Sequence, residues 1–208
     1  MGFYAKYLLP RFIDLAMRNP ESTRLRADWL PHARGDVLEV GIGSGLNLRF
    51  YSPQVRRVYG VDPSVELQRK ARSRMAATPL EVQFFTQSAE DPLPLPDASV
   101  DTAILTWTLC SIANAPTALQ QIKRVLRTNG RLIFVEHGRA SDPGVVAWQD
   151  RLTPVWKHVS GGCHLNRKID QLIEGAGFQI SEMKTGYLPG PRPLTYTYQG
   201  FAQAINRR

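Results

Sequence analysis

Residues 37–47 read VLEVGIGSGLN, a short apolar run that passes directly into a glycine-rich turn. The apolar run predicts a buried β-strand, because aliphatic and β-branched side chains suit a pleated, buried surface. Glycines at positions 41, 43 and 45 allow the backbone to approach a ligand closely. We expect a helix after the turn, with its free N–H groups directed at that ligand. The stretch therefore predicts a ligand site at the carboxyl end of a strand.

Four further apolar runs follow, and helical segments separate several of them. The predicted strands are 36–40, 57–61, 80–85, 100–106 and 131–135, and the predicted helices are 65–76 and 117–127. Short apolar runs that alternate with helices indicate βαβ units and a parallel sheet. Asn129-Gly130 predicts a C-terminal cap for the second helix. The predicted fold class is α/β, with a doubly wound, mostly parallel seven-stranded sheet.

The remaining segments fit one domain that spans residues 1–208. Residues 1–30 are expected to form a helical lid, with an amphipathic helix over 3–17 that Pro10 breaks or restarts. Residues 35–137 form the predicted cofactor-binding core. Residues 138–208 form the substrate-side part. The last predicted elements are helices at 145–158 and 167–174, a strand at 178–183, and a strand at 195–202 that returns antiparallel to the sheet edge.

Composition excludes several classes of protein. Apolar residues make up 43% of the chain, which excludes intrinsic disorder, and two cysteines exclude a disulfide scaffold or a four-cysteine zinc site. The net charge is +8, but Lys and Arg are spread along the chain, so nucleic acid is not the expected partner. The N-terminus matches no secretory signal, and no window is apolar enough to span a bilayer. A cytoplasmic location is the expectation.

Two ligand classes use a strand followed by a glycine turn, and the acidic residues discriminate between them. Dinucleotide sites want G-x-G-x-x-G, whereas the third glycine here comes one place early. Glu39 inside this stretch would repel a pyrophosphate but suits an ammonium group. Asp62 ends the next strand, where a carboxylate accepts hydrogen bonds from ribose hydroxyls. Together these features favour a nucleoside that carries an amino-acid tail.

Four blocks in this order resemble class I S-adenosylmethionine-dependent methyltransferases. They are VLEVGIGSG at 37–45, YGVDPS at 59–64, the stretch 88–112, and LRTNGRLIFVEHG at 126–138. The resemblance implies S-adenosylmethionine as cofactor and S-adenosylhomocysteine as product. It places Glu39 near the methionine ammonium and Asp62 at the ribose. The backbone of the turn would lie along the methionine and sugar, at Gly41, Gly43 and Gly45. The adenine would contact Ser88, Ala89 and Glu90, and the transferred methyl would lie beside Leu105 and Thr106. Asn47 and Pro63 complete the candidate cofactor-binding residues.

Three segments resemble a narrower branch, the one that contains the methyltransferase-like thiol S-methyltransferases. They are TWTLCSI at 106–112, FVEH at 134–137, and PVWKHVSGGCHLNR at 154–167. The resemblance implies methyl transfer to a small thiol. A thiol reacts as its thiolate, so a nearby base is expected, and the candidates are His137, His158 and His164. We predict no metal, because methyl transfer from a sulfonium requires none.

Several alternatives stay open at this level. Each histidine has a structural hydrogen bond as its alternative role, and Cys110 is expected as a small buried apolar residue. A lipid or quinone-like acceptor, methylated on nitrogen or carbon, is the second hypothesis for the reaction. A non-catalytic nucleoside binder is another. The N-terminal segment fits either a lid or a peripheral membrane contact. The oligomeric state has no signal in the sequence.

Overall fold

A seven-stranded sheet organises the computed structural model, which describes residues 8–205. The strands are β1 (Gly35–Val40), β2 (Val55–Val61), β3 (Glu81–Phe85), β4 (Val100–Thr106), β5 (Leu126–His137), β6 (Phe178–Tyr187) and β7 (Tyr196–Ala204). Their order is β3-β2-β1-β4-β5-β7-β6. β1 to β5 run parallel, and β7 pairs antiparallel with β5 and β6. The predicted fold class is confirmed.

Helices cover both faces of the sheet. They are α1 (Leu9–Ala16), α2 (Pro20–Trp29), α3 (Val65–Met75), α4 (Ala115–Val125), α5 (Pro143–Val159) and α6 (Ile169–Gly175). The side chains of each strand alternate between two apolar cores, so Leu38 packs in the core that contains Ile122 of α4, and Val37 packs in the core that contains Leu25 of α2. Strand order reverses between β1 and β4, and this reversal opens a crevice at the carboxyl ends of the strands.

Three local predictions were wrong, each because sheet pairing or a proline decided the local structure. Asn129-Gly130 lies inside β5 instead of capping α4, because Leu126 already pairs with Val100 at the start of a longer strand. The strand at the chain's end, β7, lies between β5 and β6 and not at the sheet edge. A three-residue 3₁₀ turn, Leu48–Phe50, replaces the expected helix after the glycine turn, and Pro53 follows closely.

Helix α1 buries a charged residue and exposes apolar residues, which is the opposite of the expected amphipathic packing. Asp14 is buried, whereas Phe12 and Leu15 are 60% and 69% exposed. Pro10 lies in the first turn of α1, where its missing N–H costs no helical bond, so it starts the described helix and does not break it. The predicted helical residues 3–7 lie outside the described range.

Within residues 8–205, every helix is too short or too polar to cross a membrane. The cytoplasmic location and the single-domain boundaries stay predictions.

Candidate active site

A connected hydrogen-bond network joins the carboxyl ends of β1 and β4. Glu39 is 1% exposed, and its carboxylate accepts from the Asn47 amide at 2.8 Å and from the Tyr51 hydroxyl at 2.7 Å. The Asn47 amide also donates to Oγ1 of Thr106 at 2.9 Å. Burial raises the pKa of Glu39 to about 7, although the bonds from Tyr51 and Asn47 act in the opposite direction. Glu39 is therefore fixed in one orientation and ionises near neutral pH.

Arg26 of α2 extends this network to the N-terminal helices. Its Nε donates to Oδ1 of Asn47 at 2.9 Å, and its Nη1 donates to the Met17 carbonyl at 2.8 Å. The guanidinium also stacks on the Trp107 ring at 4.8 Å from the centroid. Burial lowers the pKa of Arg26 to about 10, so the group stays charged and balances the Glu39 carboxylate. Sequence reasoning missed Arg26, because a single arginine in a polar helix gives no signal.

Asp62 closes the crevice at the end of β2. Its carboxylate accepts the Gly43 N–H at 3.0 Å and the Ser64 N–H at 2.7 Å. Burial raises the pKa of Asp62, and the two backbone bonds counteract that shift. A carboxylate offers about four lone-pair sites, so two remain for other donors. A hydrogen bond thus connects the glycine turn to Asp62.

The three glycines of the turn serve different purposes, although all have positive φ. A Cβ on Gly41 would overlap the Thr108 side chain, and a Cβ on Gly45 would lie 3.0 Å from Ala71. Both glycines are therefore required by protein packing. Among residues 8–205, a Cβ on Gly43 would meet only the Gly41 carbonyl oxygen, at 3.8 Å. Gly43 is the position in this turn where the backbone faces open space.

The other predicted cofactor-binding residues differ in their hydrogen bonds and in their burial. Glu90 accepts the Asn114 N–H at 2.6 Å, at the N-terminus of α4. Ser88 accepts the Glu90 N–H at 3.2 Å, and Ala89 between them is buried. Leu105 lies in the apolar core, whereas Pro63 is exposed. The 88–90 turn follows β3 and borders the same edge of the sheet as Asp62.

Asp14 attaches α1 to the glycine turn. Its carboxylate accepts the Ser44 hydroxyl at 2.5 Å and pairs with Arg74 at 2.9 Å, Lys70 at 3.1 Å and Arg18 at 2.5 Å. Burial alone would raise the pKa of Asp14, but these four donors hold it well below its usual range. Arg74 also donates to the Ser44 carbonyl. The N-terminal helix is therefore fastened to the turn by a buried charge.

On the other side of the crevice, Glu136 of β5 organises the β4–α4 loop (residues 107–114). Its carboxylate accepts the backbone N–H groups of Thr108 and Leu109 at 2.9 Å each and that of Cys110 at 3.3 Å. The side chain is fully buried, and burial raises the pKa of Glu136 to about 7. Glu136 thus has a backbone-binding role.

The structure separates the three candidate histidines. His137 is 6% exposed, its Nδ1 lies 3.8 Å from Sγ of Cys163, and its Nε2 has no hydrogen-bond partner within residues 8–205. The ring of His164 donates to the Cys110 carbonyl at 3.3 Å. The ring of His158 is exposed and contacts the Pro154 carbonyl on its own helix at 2.8 Å. His137 is therefore the histidine with a buried nitrogen available to a ligand.

Comparisons with known proteins agree with this geometry. The profile of a family described as a methyltransferase domain matches residues 38–134. Human thiol S-methyltransferase TMT1B is 33% identical over 199 residues, which cover 90% of this chain and 80% of the human protein. The rat TMT1B protein is 36% identical over 160 residues, 74% of this chain, and the match spans 64% of the rat protein's length.

A bacterial relative and a solved structure extend the comparison. Phosphatidylethanolamine N-methyltransferase of Cereibacter sphaeroides is 30% identical over 172 residues, 82% of this chain and 83% of that protein. The crystal structure of a SAM-dependent methyltransferase from Methanosarcina mazei superposes with a TM-score of 0.66 at 20% identity, covering 83% of this chain and 93% of that one.

The chain is a class I S-adenosylmethionine-dependent methyltransferase. The residues of this methyltransferase fit S-adenosylmethionine, its methyl donor. Two buried carboxylates, Glu39 and Asp62, suit an ammonium group and ribose hydroxyls, and Asp62 keeps lone pairs free. The open space at Gly43 lies beside Asp62, where the sugar would approach the backbone.

Proposed function

We propose that this methyltransferase transfers the methyl group of S-adenosylmethionine to the sulfur of a small thiol. The observation that carries the proposal is the buried Nε2 of His137, which has no hydrogen-bond partner in the part of the chain that the structure describes. An ordinary thiol has a pKa of about 8.5 and must lose its proton to react. The similarity to the TMT1B thiol S-methyltransferases over most of this chain supports the same acceptor class.

The roles proposed for the chain's residues follow from their positions. Asp62 accepts the ribose hydroxyls, Glu39 faces the methionine ammonium, and Gly43 gives the sugar room. The 88–90 turn borders the adenine. Asn47 and Thr106 hold Glu39 and the end of β4 in place. Alignment of the two reactants in a site that excludes water supplies much of the rate acceleration.

In the reaction, His137 takes the acceptor's proton at Nε2. The sulfonium of the cofactor supplies an activated methyl group. The acceptor sulfur forms the new carbon–sulfur bond, while the old bond breaks and leaves its electron pair on the departing sulfur. The proton on His137 then returns to solvent. The β4–α4 loop, which Glu136 holds, lines the side from which the acceptor enters.

The test is turnover with S-adenosylmethionine against a panel of small thiols, amines, phenols and lipid headgroups, read as S-adenosylhomocysteine release. We expect turnover with thiols. His137→Gln should lower kcat/KM by about 100-fold or more, as expected for loss of a general base. It should leave the Kd for S-adenosylmethionine unchanged, because His137 lies across the crevice from Asp62. His32→Gln is the matched control, since His32 is exposed and packs on Phe201. Turnover restricted to other acceptors would contradict the proposal.

A second candidate is methylation of a lipid or quinone-like acceptor at a membrane surface. Phe12 and Leu15 project from α1 into solvent, next to the exposed Arg11. This arrangement is typical of helices that contact anionic bilayers. The Cereibacter sphaeroides relative is named for methylation of phosphatidylethanolamine. Product release that depends on phosphatidylethanolamine vesicles, without turnover of free thiols, would favour this candidate over the first.

A further inference from the structure

Cys163 lies beside His137, Cys110 lies beside Cys163, and the reaction proposed above uses neither cysteine. We call Cys110, His137 and Cys163 the thiol–imidazole cluster. Both cysteines are free, Cys110 is buried and Cys163 is half-buried. Sγ of Cys163 contacts Nδ1 of His137 at 3.8 Å, on the ring edge opposite the unpartnered Nε2. The cluster thus places a thiol at Nδ1 of His137, while the proposed acceptor meets Nε2.

The residues immediately before and after Cys163 fix its position. Gly162 has a φ of +90°, and a Cβ there would lie 2.9 Å from the Ser111 carbonyl oxygen. The His164 N–H donates to the Cys110 carbonyl at 2.9 Å. The turn over residues 160–164 is therefore pinned to the β4–α4 loop immediately before and after Cys163. A sulfur held in this way can constrain the ring that it contacts.

The surroundings of Cys163 favour its thiolate. A hydrogen bond with Cys110 lowers the pKa of Cys163 most, burial opposes this, and His137 and Trp156 lower it further. The same pairing raises the pKa of Cys110, so the pair holds its negative charge on Cys163. Glu136 and the Arg167 guanidinium are the other charged groups whose fields reach the pair. Arg167 donates to the Leu109 carbonyl at 2.6 Å, which keeps a positive charge near the cluster.

The ionisation of Cys163 decides which nitrogen of His137 carries the proton. A neutral thiol would donate to Nδ1, and Nε2 would then hold the ring proton and be unable to accept another. A thiolate accepts Nδ1–H, which leaves the lone pair of Nε2 free. Only the second arrangement suits a base that faces an acceptor.

We propose that Cys163 is the positioning residue of His137: its thiolate accepts the Nδ1–H bond and keeps Nε2 free to take the proton of the methyl acceptor. The arrangement corresponds to the carboxylate that orients the histidine of a catalytic triad, with sulfur in place of oxygen. The acceptor's proton moves to Nε2, the acceptor's electron pair forms the bond to carbon, and the thiolate stays unmethylated beside the charged ring. The proposal rests on the proposed function, because it takes His137 as the base that removes the proton of the acceptor.

The first experiment needs no turnover. The ultraviolet absorbance of the thiolate is titrated against pH in the wild type and in Cys163→Ser, and their difference reports the ionisation of the Cys110–Cys163 pair, whose negative charge lies on Cys163. We expect a midpoint below the ordinary thiol value of about 8.5. In His137→Gln the midpoint should rise, because the imidazole N–H no longer stabilises the anion. His137→Asn serves as a second variant if the first does not fold. The same midpoint with and without the imidazole would overturn the pairing.

The second experiment measures kinetics with whichever panel acceptor the wild type turns over. Cys163→Ala should lower kcat about 10-fold, a loss typical of residues that orient a functional group. KM for S-adenosylmethionine should not change. Cys163→Asp should recover part of the loss, because its carboxylate accepts from Nδ1–H as the thiolate does. Ser160→Ala is the control in the same turn, where the hydroxyl donates to the Trp156 carbonyl of α5. Wild-type kcat in Cys163→Ala would overturn the positioning role.

The two proposals fail in different ways. If the wild type turns over only amines or lipids, the thiol acceptor is wrong, and the kinetic comparison still tests Cys163 with the acceptor that works. If thiols are turned over and the Cys163 variants match the wild type, the acceptor stands and the positioning role is wrong.

Discussion

The cofactor side and the acceptor side of the crevice differ in how they satisfy their buried polar groups. On the cofactor side, Glu39, Asn47 and Asp62 are bonded to other protein groups before any ligand arrives. On the acceptor side, Nε2 of His137 is buried and has no partner within the described part of the chain. Burial of a polar atom without a hydrogen bond costs about 1–3 kcal/mol, and this cost is the reason why we propose that Nε2 meets the acceptor.

This difference explains why the sequence predicted the cofactor side and not the acceptor side. The cofactor side is built mainly from consecutive residues, where a strand, a turn and the next strand end present backbone and carboxylates in a fixed spacing. The acceptor side is assembled from three separate segments, the β4–α4 loop, the end of β5 and the 160–164 turn. These segments are far apart in the sequence, so a local sequence pattern cannot show that they meet.

The largest expected effect lies on the cofactor side, at Asp62. Asp62→Ala removes the carboxylate that we propose accepts two ribose hydroxyls, and each bond to a charged acceptor contributes about 1.5–3 kcal/mol. We expect the Kd for S-adenosylmethionine to rise about 100-fold or more, measured by calorimetry. Asp101→Asn is the control, since Asp101 lies at the opposite end of β4 and bonds the Asp36 backbone. An unchanged Kd in folded Asp62→Ala would break the assignment of the two sides.

A smaller effect is expected where α1 joins the glycine turn. Asp14→Asn removes the charge that Arg74, Lys70 and Arg18 share, and these partners are partly exposed. We expect a loss of about 1–2 kcal/mol in the free energy of unfolding at pH 7, measured with urea. Because the pKa of Asp14 is lowered on folding, this stabilisation is present above 3.8 and is lost as the pH falls below that value.

Asp28→Asn is the matched control for this change. Asp28 pairs with Arg24 at 3.4 Å on the exposed face of α2, and such a pair contributes little. Equal losses in the two variants, or an Asp14 effect that persists in acid, would show that the buried charge does not hold α1.

The smallest expected effect is the release of a proton from Glu39 when S-adenosylmethionine binds. Its pKa is about 7 in the ligand-free protein, and a nearby ammonium group favours the charged form. Binding of S-adenosylmethionine between pH 4.5 and 7 should therefore release up to about one proton, and affinity should fall as the pH falls below about 7. Calorimetry in buffers of different ionisation enthalpy measures this release.

Glu39→Gln should abolish the proton release, while Glu81→Gln should keep it. Glu81 is exposed at the start of β3 and pairs with Arg57. The same raised pKa predicts that Glu39 favours the folded state most below pH 4.5, and that this contribution is lost as the pH rises through about 7. Proton release that is equal in Glu39→Gln and the wild type would move the ammonium site elsewhere.

The sequence determined the sheet and the cofactor side, because both depend on local pattern. Apolar runs that alternate with helices specify parallel strands, and VLEVGIGSG with Asp62 specifies the turn and its acids. The local pattern did not reveal that Gly41 and Gly45 serve packing and only Gly43 faces open space. That distinction needs Thr108 and Ala71, which come from other elements.

Tertiary structure decided which histidine has a free nitrogen, where α1 directs its side chains, and where β7 pairs. The sequence does not distinguish His137, His158 and His164. In the fold, Nε2 of His137 is buried and has no partner among residues 8–205, whereas the other two rings contact backbone carbonyls. Asp14 turns inward because three cations and a hydroxyl meet it there, and this outweighs burial of Phe12. The physical reason is common to all three: hydrogen bonds and ion pairs between distant segments are decided by three-dimensional proximity, which no local pattern encodes.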